Sequence, residues 1–132
     1  MTGRRLLVLP VLVLLVVGCA PLYQRTDPDT GVGYKLGELR ATVEAPPARV
    51  AAAARLAFER LEIRERFADA SGLDAELIGR TARTKKVKVV VKAAGQGRST
   101  VYIRIGTFGD RDLSRTLLDT IRDALRPGAV PR

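Results

Sequence analysis

Two features of this 132-residue chain bring together side chains able to do chemistry. The first is Cys19, the sole cysteine, at the end of an apolar run. A thiolate is a nucleophile that takes up acyl and alkyl groups. One cysteine makes neither an internal disulfide nor a thiolate zinc cluster. The second feature is a stretch between Leu77 and Gly109 without a single acid. It carries Arg80, Arg83, Lys85, Lys86, Lys88, Lys92, Arg98 and Arg104, a pattern suited to anions. Histidine is absent, which excludes Ser-His-Asp and Cys-His catalysis, histidine metal sites and an imidazole proton shuttle. What remains for catalysis is carboxylate chemistry of the kind paired acids perform on glycosides. The acids here are scattered, with no Glu-x-x-His or Gly-x-Ser-x-Gly motif. The chain reads as non-enzymatic and needing no cofactor. A small periplasmic enzyme using carboxylates is the alternative.

The residues ahead of Cys19 determine what its thiol meets. Arg4 and Arg5 precede an apolar run from Leu6 to Val17, broken by Pro10. Those twelve residues fall short of the roughly 20 that a bilayer span needs. A basic start, a short apolar core and small residues are the layout of a secretory signal peptide. Val16-Val17-Gly18-Cys19 resembles the lipobox of bacterial lipoproteins. The resemblance implies a diacylglycerol on the Cys19 thiol, cleavage before Cys19, and acylation of the new amino group. Val16 and Val17 stand where Leu and a smaller residue are commoner. Ala20, rather than Asp, follows the lipid site, which in enteric lipoproteins goes with outer-membrane sorting. The implied place is the outer membrane, lipid-anchored and facing the periplasm.

The organisation expected from this is a signal peptide over 1–18, a lipidated cysteine and tether over 19–32, one domain over 33–127 and a tail over 128–132. The tether, rich in Pro, Asp, Thr and Gly, extends at most about 3.5 Å per residue. Cleavage would remove Arg4 and Arg5 from the 23 basic residues, leaving 21 against 14 acids, a net charge of +7.

Periodicity predicts the domain's elements. Leu39, Ala41 and Val43 alternate with polar residues in a strand over 33–44. Pro46-Pro47 stops it and starts an alanine-rich helix over 48–61. Its buried stripe is Val50, Ala53, Ala54, Ala57, Phe58 and Leu61. A weaker strand over 63–70 sets Ile63, Glu65 and Phe67 on one face, and another follows over 74–83. Val87, Val89 and Val91 alternate with lysines over 85–92, and Val101, Ile103 and Ile105 with polar residues over 100–105. Ala94-Gly95-Gln96-Gly97 joins these two as a hairpin loop. A last helix carries Leu113, Leu117, Ile121, Ala124 and Leu125, with Asp110 or Asp112 at its start. The expected fold is α+β: a single antiparallel sheet of four to five strands with two helices packed on one face, in the order β-α-β-β-β-β-α.

Val101-Tyr102-Ile103-Arg104-Ile105-Gly106-Thr107-Phe108-Gly109-Asp110 resembles the signature of a family of small bacterial lipoproteins, the domain-of-unknown-function 3568 family. Members open with a Tyr…Gly…Leu strand and an Ala-rich helix, matched here by Tyr34, Gly37, Leu39 and 51–61. The resemblance covers about residues 30–126 and implies a fold and a location, with no activity to transfer. In physical terms, Gly106 and Gly109 relieve crowding where strand becomes helix, Phe108 plugs the core corner and Asp110 caps. The alternative is an anion site on that helix N-terminus.

If Gln96 centres the hairpin, Val90 lies opposite Tyr102 and Lys88 opposite Arg104, away from the valines. Like charges directly opposite are unfavourable. Such a face is either solvated, its lysines blocking edge aggregation, or used. The binding reading assigns Lys86, Lys88, Lys92, Tyr102 and Arg104 to an anionic envelope partner: lipid head groups, lipopolysaccharide phosphates or an acidic protein surface. Export and the scarcity of aromatics argue against nucleic acid. The expectation is an accessory or scaffolding module, held at the membrane through Cys19.

Overall fold

Leu36 and Gly37 change the strand count. The structure, a computed structural model, describes residues 31–127. The segment expected as one strand is a tight hairpin of β1 (Val32–Lys35) and β2 (Glu38–Val43). Lys35 pairs with Glu38 across a two-residue turn. Leu36 has φ of 49° and Gly37 of 80°, and positive φ at both central residues is the requirement of a type I′ turn. The remaining elements are α1 (Pro47–Arg60), β3 (Arg64–Ala70), β4 (Asp74–Arg80), β5 (Lys86–Ala93), β6 (Ser99–Ile105) and α2 (Arg111–Leu125). The class is α+β as expected, but the sheet has six strands rather than four to five.

All neighbours are antiparallel, in the order β1-β2-β6-β5-β4-β3. The last strand is therefore central, joining the N-terminal hairpin to the β3–β6 meander. α1 carries the chain from β2 to the far edge. Both helices lie on one face. The inward residues of β2, β5 and β6 are almost fully buried under Val50, Ala54, Ala57 and Phe58 of α1 and Leu117, Leu118 and Ile121 of α2. Each large side chain so buried contributes about 1.5–3 kcal/mol. The alanines keep α1 close to sheet and partner helix. Phe58, the largest buried side chain, needs Gly79 beneath it: a Cβ there would lie 3.0 Å from the ring and 2.7 Å from Ile63 Cγ2. The buried Ser99 hydroxyl donates to Ala45 O at 2.6 Å, pinning the start of β6 to the β2–α1 connection.

β3 departs from its expected face. A bulge between Glu65 and Phe67 inserts Arg66. Glu65 sits opposite Gly79 on the helix side, where it meets Arg55 of α1 at 3.0 Å. Phe67 sits opposite Ile78 on the other face and is 49% exposed. Simple alternation had put Glu65 and Phe67 together, and the extra residue separates them.

The corner between β6 and α2 is also built differently from expectation. Phe108 does not plug it, being 92% exposed. Gly106 and Gly109, with φ of 73° and 86°, fold the loop so that its backbone lies against Gly37. A Cβ on Gly37 would lie 2.6 Å from Phe108 O, and one on Gly109 would strike Gly37 and the Tyr34 hydroxyl. No side chain fits between the loop and the turn, so the Phe108 ring is turned outward. Tyr34 packs against the core there instead, with the Arg111 guanidinium 5.6 Å from its ring centre.

Gly37 and Gly95 share nearly the same φ, 80° and 79°, but Gly95 has open space around it. Gly95→Ala therefore carries the backbone cost alone, about 1–2 kcal/mol. Gly37→Ala adds a clash with a backbone carbonyl and costs at least about 1 kcal/mol more in urea unfolding. Equal losses would show that the turn and loop are not in tight contact.

Candidate functional site

The helices leave one sheet face bare. The β5–β6 register is the expected one: Lys88 faces Arg104, Val90 faces Tyr102, and Lys92 faces Thr100. Alternation puts all of them, with Lys86, on the side away from Val87, Val89 and Val91. The five residues of the expected anionic-partner site thus share a face. They do not form one uniform basic patch.

Cross-strand neighbours explain why. The run from Leu77 to Gly109 is acid-free along the chain, but β4 and β2 bring acids beside it. Glu76 of β4 reaches Lys88 at 3.5 Å, Asp74 pairs across from Lys92, and Glu38 of β2 pairs across from Arg104. Arg104 also donates to Leu36 O at 3.0 Å and so helps hold the β1–β2 turn. Of the five, Lys88 and Arg104 are tied to oxygen atoms of the protein. Lys86 lies at the end of the face, opposite Arg80.

The centre of the face is Tyr102. Its ring lies 5.5 Å from the guanidinium of Arg40 and 5.9 Å from Lys92 Nζ, distances at which a cation is drawn to an aromatic face. Each such contact at a half-exposed site contributes about 0.5–1 kcal/mol. Arg40 was not among the expected residues. It belongs here because β2 pairs with β6 and sets Arg40 opposite Tyr102. Beside them runs a trough of 610 Å³ lined by Gly33, Lys35, Glu38, Arg40, Tyr102 and Arg104, among others. Gly33, opposite Arg40 and without a side chain, leaves it open toward the β1 edge.

The N-terminus of α2 was the other place for an anion, and the protein fills it with its own carboxylate. Asp110 accepts from the Leu113 backbone N–H and from Lys85 Nζ, both at 3.0 Å. These bonds, the Leu113 one foremost, hold its pKa below the ordinary aspartate value. Among the described residues no group of three or more acidic side chains converges to hold a metal, and no helix is long and apolar enough to cross a membrane. Cys19 and the segment 1–18 expected as a signal peptide lie outside the described residues.

Among the described residues these features define a two-layer α+β domain, helices on one side and an uncovered, charged sheet face on the other. The chain belongs to the family described as "Protein of unknown function (DUF3568)", whose model matches residues 5–124. No curated protein matches the chain.

Because folding lowers the Asp110 pKa, its stabilisation is present above the unfolded pKa and lost as pH falls through the folded one. Asp110→Ala lowers stability by about 1 kcal/mol near neutral pH. In urea unfolding at decreasing pH, the gap between wild type and variant narrows in the acid range. A gap constant with pH would show that Asp110 caps without its charge.

Proposed function

We propose that this protein is an envelope lipoprotein, cut before Cys19, acylated there and held at the outer membrane facing the periplasm. It works without catalysis, as an accessory or binding module. Its bare sheet face contacts an anionic envelope partner, a lipid head group or an acidic protein surface. The observation that carries this reading is Tyr102, half-buried between Arg40 and Lys92 on a face that neither helix covers. An amphipathic ring between two cations, beside a trough, is a contact surface for an anionic group. The geometry moves the weight of the site from the lysine run toward Arg40, Lys92 and Tyr102, because Lys88 meets Glu76 and Arg104 holds the turn. The family match begins at residue 5, so the leader and Cys19 fall within the matched region. Several acyl chains, at about 0.8 kcal/mol per buried CH₂, would make the attachment stable.

The test is photo-crosslinking in cells. A photoreactive amino acid replaces Tyr102 in one strain and the exposed Arg49 of α1 in another. Crosslinks to an envelope component from position 102 and none from position 49 are expected. A second arm carries Cys19→Ser, which is expected to abolish acyl incorporation and, with it, the crosslinks. The reading is overturned by equal crosslinking at both positions, by none at position 102, or by unchanged acylation of the Cys19→Ser form.

A further inference from the structure

At the opposite edge of the same face, the sheet assembles arginines that it does not neutralise. Arg64 of β3 lies directly opposite Arg80 of β4, and Arg80 directly opposite Lys86 of β5. Three cations thus stand in one row across adjacent strands, an arrangement that costs stability in water. The β3 bulge places Arg66 beside them. Arg64, Arg66 and Arg80 line a pocket of 340 Å³ together with Glu62, Thr81, Ala82 and Thr84.

Several cations elsewhere on the surface are answered by acids. Arg55 meets Glu65, Lys85 meets Asp110, Lys88 meets Glu76 and Arg98 meets Glu44. Among the described residues Arg64, Arg66 and Lys86 have no such partner. Arg80 is instead held in place, its Nη1 donating to Thr84 O at 2.9 Å. Thr84, a β-branched residue, has φ of 64°, in the left-handed region such residues avoid. Strain of this kind persists where the surroundings enforce it, and it sits here in the pocket wall. Thr81 Oγ1 accepts from the Lys85 N–H at 3.1 Å, which leaves its hydroxyl proton to donate.

Guanidinium groups are planar forks that match the oxygens of a tetrahedral oxyanion two at a time. The volume, near the lower end of the roughly 300–1,000 Å³ of ligand pockets, suits a small head group rather than an extended chain. We infer that the Arg64–Arg66–Arg80 pocket binds a phosphate group, as the free anion or as a phosphomonoester on a lipid. Arg80 forms its centre, Arg64 and Arg66 flank it, and the bound charge removes the repulsion along the row. The inference does not rest on the Tyr102 contact, which lies across the sheet.

The test uses the full chain in detergent, titrated with inorganic phosphate by calorimetry. It also uses sedimentation with phosphatidylcholine vesicles containing either phosphatidic acid, a phosphomonoester, or phosphatidylglycerol, a phosphodiester, at equal surface charge. Saturable binding of phosphate identifies the free anion as a ligand. Binding to phosphatidic acid vesicles in preference to phosphatidylglycerol identifies the lipid source, and either result supports the site. Arg80→Gln is expected to weaken binding at least about tenfold, and Arg49→Gln, the same charge change on α1, to leave it unchanged. Arg64→Gln, on the exposed edge strand, gives the same reading if Arg80→Gln does not fold. The inference fails if neither probe binds, or if Arg49→Gln weakens binding as much as the pocket variants. Crosslinking from position 102 is expected to persist in an Arg80→Gln form, so failure at Tyr102 and failure here are separately visible.

Discussion

The pairing of β2 with β6 is the contact on which the rest of this molecule depends. Among the described residues β6 is the last strand and lies next to the second, so the β1–β2 hairpin and the β3–β6 meander become one sheet only through that seam. Ile103 faces Leu39 and Val101 faces Ala41 on the helix side, all essentially buried. On the other side the same register sets Arg40 against Tyr102 and Glu38 against Arg104. At the end of the seam it brings the Gly37 turn against the Phe108–Gly109 backbone. Core, bare face and corner are three consequences of one alignment. A one-residue slip would turn every side chain of β2 over.

Charge on the bare face is arranged by strand neighbours rather than by runs in the chain. Lys88 and Glu76 meet because β4 and β5 are adjacent, and such exposed pairs contribute at most about 1 kcal/mol. They organise the surface more than they stabilise it. Their effect is to leave positive charge concentrated in two places, around Tyr102 at the centre and around Arg80 toward the β3 edge. Between them the face carries Val90 and Ile78, partly exposed, so it is a mosaic of apolar and charged groups rather than a solvated lysine carpet.

Much of this was legible in the residues, where the information is local. The valine–lysine alternation and the Gly95-Gln96-Gly97 loop specify the β5–β6 register, down to Lys88 opposite Arg104. Asp110 as a cap follows from its place before an amphipathic helix. The missed features need knowledge of what packs against what. Leu36-Gly37 lacks the Asn-Gly or Asp-Gly pair that announces a type I′ turn, so one strand was read where there are two. The bulge at Arg66 leaves no mark in composition, and without it Phe67 falls on the wrong face. Phe108 reads as a core residue by type, yet two glycines bring the backbone too close to Gly37 to admit it. Arg40 was invisible as a site residue because nothing local says that β2 lies beside β6.

The central claim is that the uncovered sheet face is occupied in the envelope. Val90, directly across from Tyr102, reports on this when replaced by cysteine, since Cys19, if acylated as proposed, would leave the new thiol as the sole free one. The direct measurement is maleimide labelling of Val90→Cys in intact cells and in the purified protein, with Arg49→Cys on α1 as reference. The account predicts that Val90→Cys reacts when purified and is protected in cells, while Arg49→Cys reacts in both. Equal labelling of Val90→Cys in the two settings would contradict it.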